Sequence, residues 1–293
     1  MRARGVYASL FVVDISLSCC VQPCFVQPTQ SNHWTELKIE ALLLILAALQ
    51  DHRVAADERQ IFPLDMSLNS VNDLYYGCRS EMFKKVVQTY LKKELNHSAD
   101  FKKAWELGKK NVTTNWRSVL KKDHKVAMFE YITTYTDPQT KVYVKLNNAS
   151  RNGKQNYKHG KYNWYSLNFL LTDAIRILRK RQNTCYYTFR GTNIEFEGQA
   201  FTSVRFGSFT SSSKYRGRAE GFGKVSFFEI ETCEGAYIRN YSRTPYEEEV
   251  LIPPCEVFNI TQIKRNDHRF KTVYVLNSTG IMSDLNCALF RTS

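Results

Sequence analysis

The sequence predicts an α+β domain, a helical first half followed by a strand-rich second half, and three observations carry that expectation. Between Asp73 and about Lys122, apolar residues recur at intervals of three and four among abundant Lys and Glu, the period of an amphipathic helix. Ser166 to Arg181 repeats that pattern as a single helix. From Cys185 onward, short β-prone runs take over: Tyr186–Phe189, Thr202–Phe206, Val225–Glu231, Ala236–Ile238, Glu249–Ile252, Glu256–Lys264 and Lys271–Leu276. The strands cluster rather than alternating with helices, so a doubly wound parallel sheet is not expected. Two regions between these halves read differently. Met128 to Val144 contains β-prone runs split by an Asp137-Pro138 turn, and Arg151 to Tyr165 reads as a polar, Gly-containing connection.

A chain of 293 residues can bury a full core. Ala41 to Leu49 is a short apolar run followed by polar residues and then Val54-Ala55-Ala56, the layout of a secretory leader. Residues 1–56 are therefore expected to be a leader and 57–293 a single domain. A second apolar stretch, Val6 to Val13, lies further upstream, and neither stretch reaches the roughly 20 residues needed to span a bilayer. The C-terminal Cys287-Ala288-Leu289-Phe290-Arg291-Thr292-Ser293 carries no hydrophobic tail of the lipid-anchor type, so a secreted, extracellular protein is expected.

Lys plus Arg exceed Asp plus Glu by 13, and the four basic and four acidic residues of 1–56 cancel, so the whole excess lies in 57–293. The basic residues are dispersed as doublets on helical ground (Lys84-Lys85, Lys92-Lys93, Lys109-Lys110, Lys121-Lys122), which reads as solvated helix faces. No zinc-ligand spacing and no aromatic nucleic-acid signature accompany them, and no GxGxxG follows a strand, which argues against a dinucleotide fold of the dehydrogenase kind. Neither a metal nor a nucleic-acid partner is expected. Of eight cysteines, Cys78, Cys185, Cys233, Cys255 and Cys287 fall after the leader in no metal-binding pattern, and six Asn-x-Ser/Thr sequons accompany them. Both features fit an oxidising, secretory route.

Three motifs carry chemistry. Thr184-Cys185-Tyr186-Tyr187-Thr188-Phe189-Arg190-Gly191 is a β-prone run closing on an arginine, a planar donor for phosphate or ribose oxygens, and a glycine that permits close approach to the backbone. Val204-Arg205-Phe206-Gly207-Ser208-Phe209-Thr210-Ser211-Ser212-Ser213 is a strand closing on clustered hydroxyls. Tyr246-Glu247-Glu248-Glu249-Val250-Leu251-Ile252 sends three carboxylates into an apolar strand. Strand alternation would put Glu247 and Glu249 on one face, roughly 7 Å apart, and Glu248 on the other. Two such acids can divide labour, one steadying a developing cation and the other handling a proton.

Taken in this order, Arg190, Ser211 and Glu247-Glu248-Glu249 resemble the signature of the arginine-specific mono-ADP-ribosyltransferases of the secreted and cell-surface type. The resemblance extends from about Gln60 to Phe290, with Phe169-Leu170-Leu171-Thr172-Asp173-Ala174-Ile175 similar to the helix that precedes the arginine strand. It implies the ADP-ribosyltransferase fold, a helical N-terminal part packed on two β-sheets that form the NAD cleft. It implies disulfides Cys78–Cys287 and Cys185–Cys233, leaving Cys255 as a free or buried thiol. It implies Arg190, Ser211, Glu247 and Glu249 as catalytic residues. Arg190 would anchor the dinucleotide, Ser211 would hold the nicotinamide ribose and orient Glu249, and Phe222 would pack on nicotinamide. Tyr143, Gly191, Ser208 and Ser242 would complete the donor contacts, with Ser208 standing where the family has Gln and Leu146 where Phe is common. The implied activity is that of an NAD(P)-protein-arginine ADP-ribosyltransferase, a glycosyltransferase working as a monomer on arginine-bearing extracellular proteins, with NAD or NADP as donor. Two rivals are an NAD glycohydrolase and a catalytically silent, basic, glycan-binding secreted protein.

Overall fold

Ser98 starts the most clearly punctuated helix: its Oγ accepts the Phe101 amide at 3.2 Å and caps Ala99–Asn111. Asp100 in the first turn and Lys109 and Lys110 in the last complement the helix dipole, while Phe101, Ala104, Trp105 and Gly108 form the buried stripe. The computed structural model describes residues 61–112, 118–136, 142–242, 244–267 and 269–290. The expected leader and the Asp137-Pro138 turn lie outside the described residues, and the described residues all fall in one compact unit.

The helical layer comprises α1 (Arg79–Lys85), a π-helical turn Val86–Tyr90, α2 (Leu91–His97), α3 (Ala99–Asn111), α4 (Lys122–Thr136), α5 (Val142–Arg151), α6 (Lys154–Lys158) and α7 (Tyr165–Gln182). Helix α7 is its spine. Phe169, Leu170, Leu171, Ala174, Ile175 and Leu178 are buried, and Asn183 ends the helix in the left-handed conformation (φ 43°), its amide bonding the Arg179 carbonyl at 2.8 Å. Asp173, buried on α7, ties three other groups to it. Arg79 Nε donates at 2.6 Å, Arg176 Nη2 at 2.8 Å, and His124 Nε2 lies 3.0 Å away. Burial alone would raise the Asp173 pKa, but the bonds to His124 and Arg79 pull it below the usual carboxylate range.

Of the region expected as β-prone runs, Met128 to Val144, the described residues 128–136 belong instead to helix α4 and 142–144 to the start of α5. His124, Lys125, Val126, Ala127, Met128, Glu130, Tyr131 and Ile132 are all buried, so α4 is enclosed on nearly every side and shows no polar stripe in the sequence. Tertiary packing overrides the strand preference of its aromatic and β-branched residues. The expected connection Arg151–Tyr165 likewise contains the end of α5 and helix α6.

Strands follow as β1 (Ile61–Pro63), β2 (Tyr186–Thr192), β3 (Glu195–Glu197), β4 (Ser203–Val204) and β5 (Thr210–Ser213). Short helix α8 (Arg216–Glu220) precedes β6 (Ser226–Thr232), β7 (Ala236–Tyr237), β8 (Glu249–Ile252), β9 (Glu256–Asp267) and β10 (Phe270–Ile281). Strands β1 and β3 form a parallel pair, and the other eight run in the order β4-β9-β10-β6-β2-β5-β8-β7. The ladder nearly breaks in the middle: β2 and β5 share a single residue pair, Phe189 with Ser213. The structure thus has the two expected sheet wings, β4-β9-β10-β6-β2 and β5-β8-β7, joined at one point. Phe209, Ala236, Ile238 and Leu251 of the smaller wing pack into the helical core, whereas Ile252 joins Phe228, Ile230, Phe258 and Tyr274 in the second core. Strand β8 is therefore buried on both faces.

Two disulfides lie where the resemblance implied them, Cys78–Cys287 and Cys185–Cys233, and Cys255 is a buried free thiol. The first links residues 209 apart in sequence, tying the start of the helical layer to the end of the chain. Replacing Cys78 and Cys287 together with serine is expected to lower stability by about 2–4 kcal/mol, because the denatured chain regains a long unclosed loop. Urea denaturation under non-reducing conditions measures this, and an unchanged midpoint would show that the bridge is not closed in the native protein.

Candidate active site

The cleft opens where β2 and β5 part. Past the Phe189–Ser213 pair the two strands no longer share ladder bonds, and Arg190 reaches across the gap, its Nη1 donating to the Ser211 carbonyl at 2.7 Å. A small cavity, open on one side to solvent, lies against this point. Phe189, Arg190 and Gly191 from β2, Ser211, Ser212 and Ser213 from β5, and Glu247 and Glu249 line it, closed by Ile132 of α4 and by Ala219 and Phe222 beyond them. The hydroxyl run 210–213 is strand β5, paired antiparallel with β8 in the register Ser211↔Leu251 and Ser213↔Glu249.

That register accounts for the Ser211–Glu249 contact. Residues two apart on paired strands share a face, so Ser211 is the diagonal neighbour of Glu249, and its side chain hydrogen-bonds the carboxyl. The other carboxyl oxygen, Oε2, is buried without a hydrogen-bond partner. Burial pushes the Glu249 pKa up to about 7, with the charge of Glu247 adding to the rise and the Ser211 bond and Arg190 opposing it.

Glu247 shares the cavity for a reason other than strand alternation. It ends a 3-10 turn, Pro245–Glu247, and Glu248 follows in the left-handed conformation at φ 51°, so β8 begins only at Glu249. The kink is held from β5: Ser213 Oγ donates to the Glu247 carbonyl at 2.6 Å, and the Lys214 amide to the Glu248 carbonyl at 3.0 Å. It turns Glu248 away to Tyr237 OH and to Arg239 Nε, the latter at 3.2 Å. The expected split of the acidic triplet is therefore present, produced by a turn rather than by the pleat. Partial burial raises the Glu247 pKa, against a hydrogen bond from Thr244 and the charge of Arg218.

Gly191 also works differently from expectation. A Cβ there would stand 2.3 Å from the Ala219 carbonyl oxygen and 2.7 Å from that of Gly223, so the glycine makes room for the chain's own 219–223 segment. Gly223 reciprocates at φ +152°, where a Cβ would meet Thr192 at 2.2 Å. The two glycines seat the segment carrying Phe222, which is 39% exposed.

Three expected donor contacts do not line the cavity. Ser208 is buried, its carbonyl accepting Thr210 Oγ1 at 3.2 Å. Ser242 Oγ accepts the Thr244 amide at 3.0 Å and so shapes the turn leading to Glu247. Tyr143 lies on α5 with its ring 4.9 Å from that of Tyr131, whose hydroxyl donates to the Phe209 carbonyl at 2.8 Å. Ile132 and Tyr131 were not anticipated as cleft neighbours, because the sequence of α4 gives no sign of the face it turns to the sheet. Among the described residues no group of His, Cys, Asp or Glu could hold a metal ion.

A split-sheet α+β domain with this cleft is the ADP-ribosyltransferase fold. The crystal structure of the eukaryotic mono-ADP-ribosyltransferase ART2.2 superimposes with a TM-score of 0.66 at 30% identity, covering 78% of this chain and all of that one. A variant of the same enzyme, solved in complex with NAD, matches at 0.66 and 29%, with the same coverage. Residues 64–284 match the NAD:arginine ADP-ribosyltransferase family, and the chain belongs to it. It is 35% identical over 237 residues to NAD(P)(+)--arginine ADP-ribosyltransferase 2 of Gallus gallus, covering 78% of this chain and 73% of that protein. It is 32% identical over 263 residues to ecto-ADP-ribosyltransferase 5 of Homo sapiens, covering 86% and 89%.

The elevated pKa of Glu249 has a sign. A carboxyl whose folded-state pKa exceeds its ordinary 4.5 favours folding fully below that value, and the contribution is lost as pH rises through about 7. The loss is of order 3 kcal/mol at most. Glu249→Gln is therefore expected to be more stable than the native chain at pH 8 and no more stable at pH 4.5, as read by urea denaturation at the two pH values. An equal effect at both would mean that Glu249 is solvated.

Proposed function

We propose that Arg190, Ser211, Glu247 and Glu249 carry the family's reaction in this chain, transfer of ADP-ribose from NAD to arginine side chains of proteins with release of nicotinamide. The single observation that carries the assignment is the buried Glu249 carboxyl, one oxygen on Ser211 and the other without a partner, beside Arg190 and Glu247. A buried polar atom left unpaired is costly, and a cationic substrate carbon at that point would offset the cost.

The bond at stake joins C1′ of the ribose to a positively charged nicotinamide nitrogen. It breaks with its electron pair going to that nitrogen, so nicotinamide leaves neutral and needs no acid. What must be stabilised is the oxocarbenium-like ribosyl centre, as in glycoside cleavage. Glu249, ionised, supplies the charge for it. The acceptor guanidinium is protonated near neutral pH and is a poor nucleophile in that form. Glu247, less buried and displaced from Glu249 by the Glu248 kink, takes the proton as nitrogen bonds to C1′. Arg190 anchors the dinucleotide, and Phe222 covers the nicotinamide.

An extracellular workplace fits the two disulfides, which persist in oxidising compartments. It also fits the relatives, whose names include ecto- and GPI-linked enzymes. No helix among the described residues is long and apolar enough to cross a membrane. Acceptors would then be arginine-bearing extracellular proteins.

The two carboxylates separate under mutation. With labelled NAD and agmatine as acceptor, Glu249→Gln is expected to lower both transfer and NAD hydrolysis by about two to three orders of magnitude, the scale of one lost preorganised electrostatic contact. Glu247→Gln is expected to suppress transfer and leave measurable hydrolysis, while Glu248→Gln, whose carboxylate faces Tyr237 and Arg239, keeps most of both. Label found only as free ADP-ribose in the native protein would make it a glycohydrolase, and no NAD turnover at all would leave a basic binding protein.

A further inference from the structure

The chain between β5 and β6 crosses from one sheet wing to the other. It leaves the smaller wing at Ser213, forms α8 and the turn bearing Phe222, and rejoins the larger wing at Val225, whose amide donates to the Thr192 carbonyl at 3.1 Å. Its departure is pinned by Ser213 Oγ, which accepts the Tyr215 amide at 3.1 Å. The crossing itself is held on the larger wing by Arg216, the first residue of α8. Arg216 Nη1 donates to Glu229 Oε1 of β6, and Arg216 Nε donates to Glu220 Oε1, one turn along α8, at 3.1 Å. The guanidinium carbon lies 4.8 Å from the centre of the Phe227 ring, 5.7 Å from that of Phe270 and 5.8 Å from that of Phe189.

Register explains this convergence. Phe189 pairs with Glu229 across β2 and β6, and Phe227 stands two residues before Glu229, so the three share one face of the sheet. A solvated ion pair alone would contribute little. Here the Glu229 side chain is only 11% exposed and aromatic rings lie beneath the guanidinium, so a charge-assisted hydrogen bond and cation–π contacts act together. The same clamp borders the donor cleft. Phe189, on which Arg216 lies, and Ala219 and Phe222, which follow it in the chain, all line the cavity, whereas Arg216 does not. Ala219 is buried in one apolar cluster with Phe227, Phe270 and Val273, so α8 is seated on the larger wing by packing as well as by charge.

We propose that Arg216 is a positioning residue for the transfer reaction. By clamping α8 to Glu229 it holds Phe222 over the nicotinamide end of the cleft and keeps water from the ribosyl centre, so that a guanidine rather than water takes the ADP-ribose. The inference rests on the reading of the cleft as an NAD site with Phe222 over nicotinamide. Arg216 acts through the segment that follows it, and no proton or bond passes to it.

The test uses the full-length chain with Arg216→Gln, Arg216→Lys, Glu229→Gln, Arg269→Gln and Phe222→Ala. With labelled NAD and agmatine, the ratio of hydrolysis to transfer and the inhibition constant of nicotinamide are measured. ADP-ribose binding is followed by calorimetry, and thermal midpoints are recorded throughout. Arg216→Gln is expected to weaken nicotinamide inhibition by about 10-fold, the scale of one charge-assisted hydrogen bond, and to raise the share of hydrolysis. ADP-ribose binding should stay within twofold, because Arg190 and the rest of the cleft are untouched. Glu229→Gln should shift both quantities in the same direction, and Arg216→Lys should recover part of the loss, since it keeps the charge and loses the fork. These two variants carry the test if Arg216→Gln does not fold. In a Phe222→Ala background Arg216→Gln should change neither quantity by more than twofold, because the group it positions is gone; full additivity overturns the proposal. Native partition and native nicotinamide inhibition in Arg216→Gln also overturn it, and a lowered midpoint alone makes Arg216 a structural residue. So does ADP-ribose binding weakened as much as nicotinamide inhibition, which would mean that the whole cleft has loosened. Arg269 Nη1 meets Glu220 from outside at 3.3 Å, so Arg269→Gln should leave both quantities within twofold; a loss as large as that of Arg216→Gln would trace the effect to Glu220 and overturn the clamp on Glu229. A native chain that neither turns over NAD nor binds ADP-ribose overturns the functional reading itself, a result distinguishable from failure of Arg216 alone.

Discussion

Strands β2 and β5 are joined by one residue pair, and the site depends on that near-failure of pairing. A continuous ladder would have filled the space between the two wings with backbone hydrogen bonds. Instead, the strands part beyond Phe189 and Ser213, and a side chain does what the backbone no longer does: Arg190 bonds the Ser211 carbonyl across the opening. The wings are held in this spread arrangement from outside. Helix α7 and the helical core support the smaller wing through Phe209, Ala236, Ile238 and Leu251, and the aromatic-rich second core supports the larger. Cys185–Cys233 links the approach to β2 with the end of β6.

The opening creates an electrostatic conflict that the fold sustains rather than removes. Glu249 is buried where β5 and Ile132 line the cleft with it, and its carboxyl resists ionisation there. A cheaper arrangement for stability would place an uncharged residue at this point of β8, whose remaining residues, Val250 to Ile252, are apolar and fully buried. The cost is tolerable because the frame is tied elsewhere, by two disulfides and by the ion-paired hub at Asp173. Strain is kept local in the same way. Glu248 takes a left-handed conformation unusual for a non-glycine residue, and bonds from Ser213 and Lys214 hold the turn on either side of it.

Much of this was legible in the sequence where a local rule decides the outcome. The helical ground after Asp73, the helix read over Ser166–Arg181 and found at Tyr165–Gln182, and the strand Glu249–Ile252 follow from local patterning, and the Arg190, Ser211 and Glu247–Glu249 pattern pointed to one cleft through the family resemblance. The disulfide pairing was legible only through the family resemblance, since spacing alone leaves the partners of five cysteines open. Legibility failed where residues are buried on all sides. Helix α4 has no polar stripe to reveal its period, so its aromatic and β-branched residues read as strand, and with it went the place of Ile132 in the cleft wall.

The sequence by itself determined which chemical groups are available: one arginine after an aromatic strand, a run of hydroxyls, and three consecutive carboxylates whose neighbours favour a strand. It did not determine how they meet. Only the tertiary structure decided that Glu247 enters the cleft by a 3-10 turn and a left-handed kink rather than by the pleat. It likewise decided that Gly191 yields space to the Ala219–Gly223 backbone, and that Ser208 and Ser242 stand back from the cavity. The physical reason is common to all of them. Register, turn handedness and the direction of a side chain are set by contacts between segments far apart in the chain, such as Ser213 against Glu247, and no local pattern of residue types encodes those contacts.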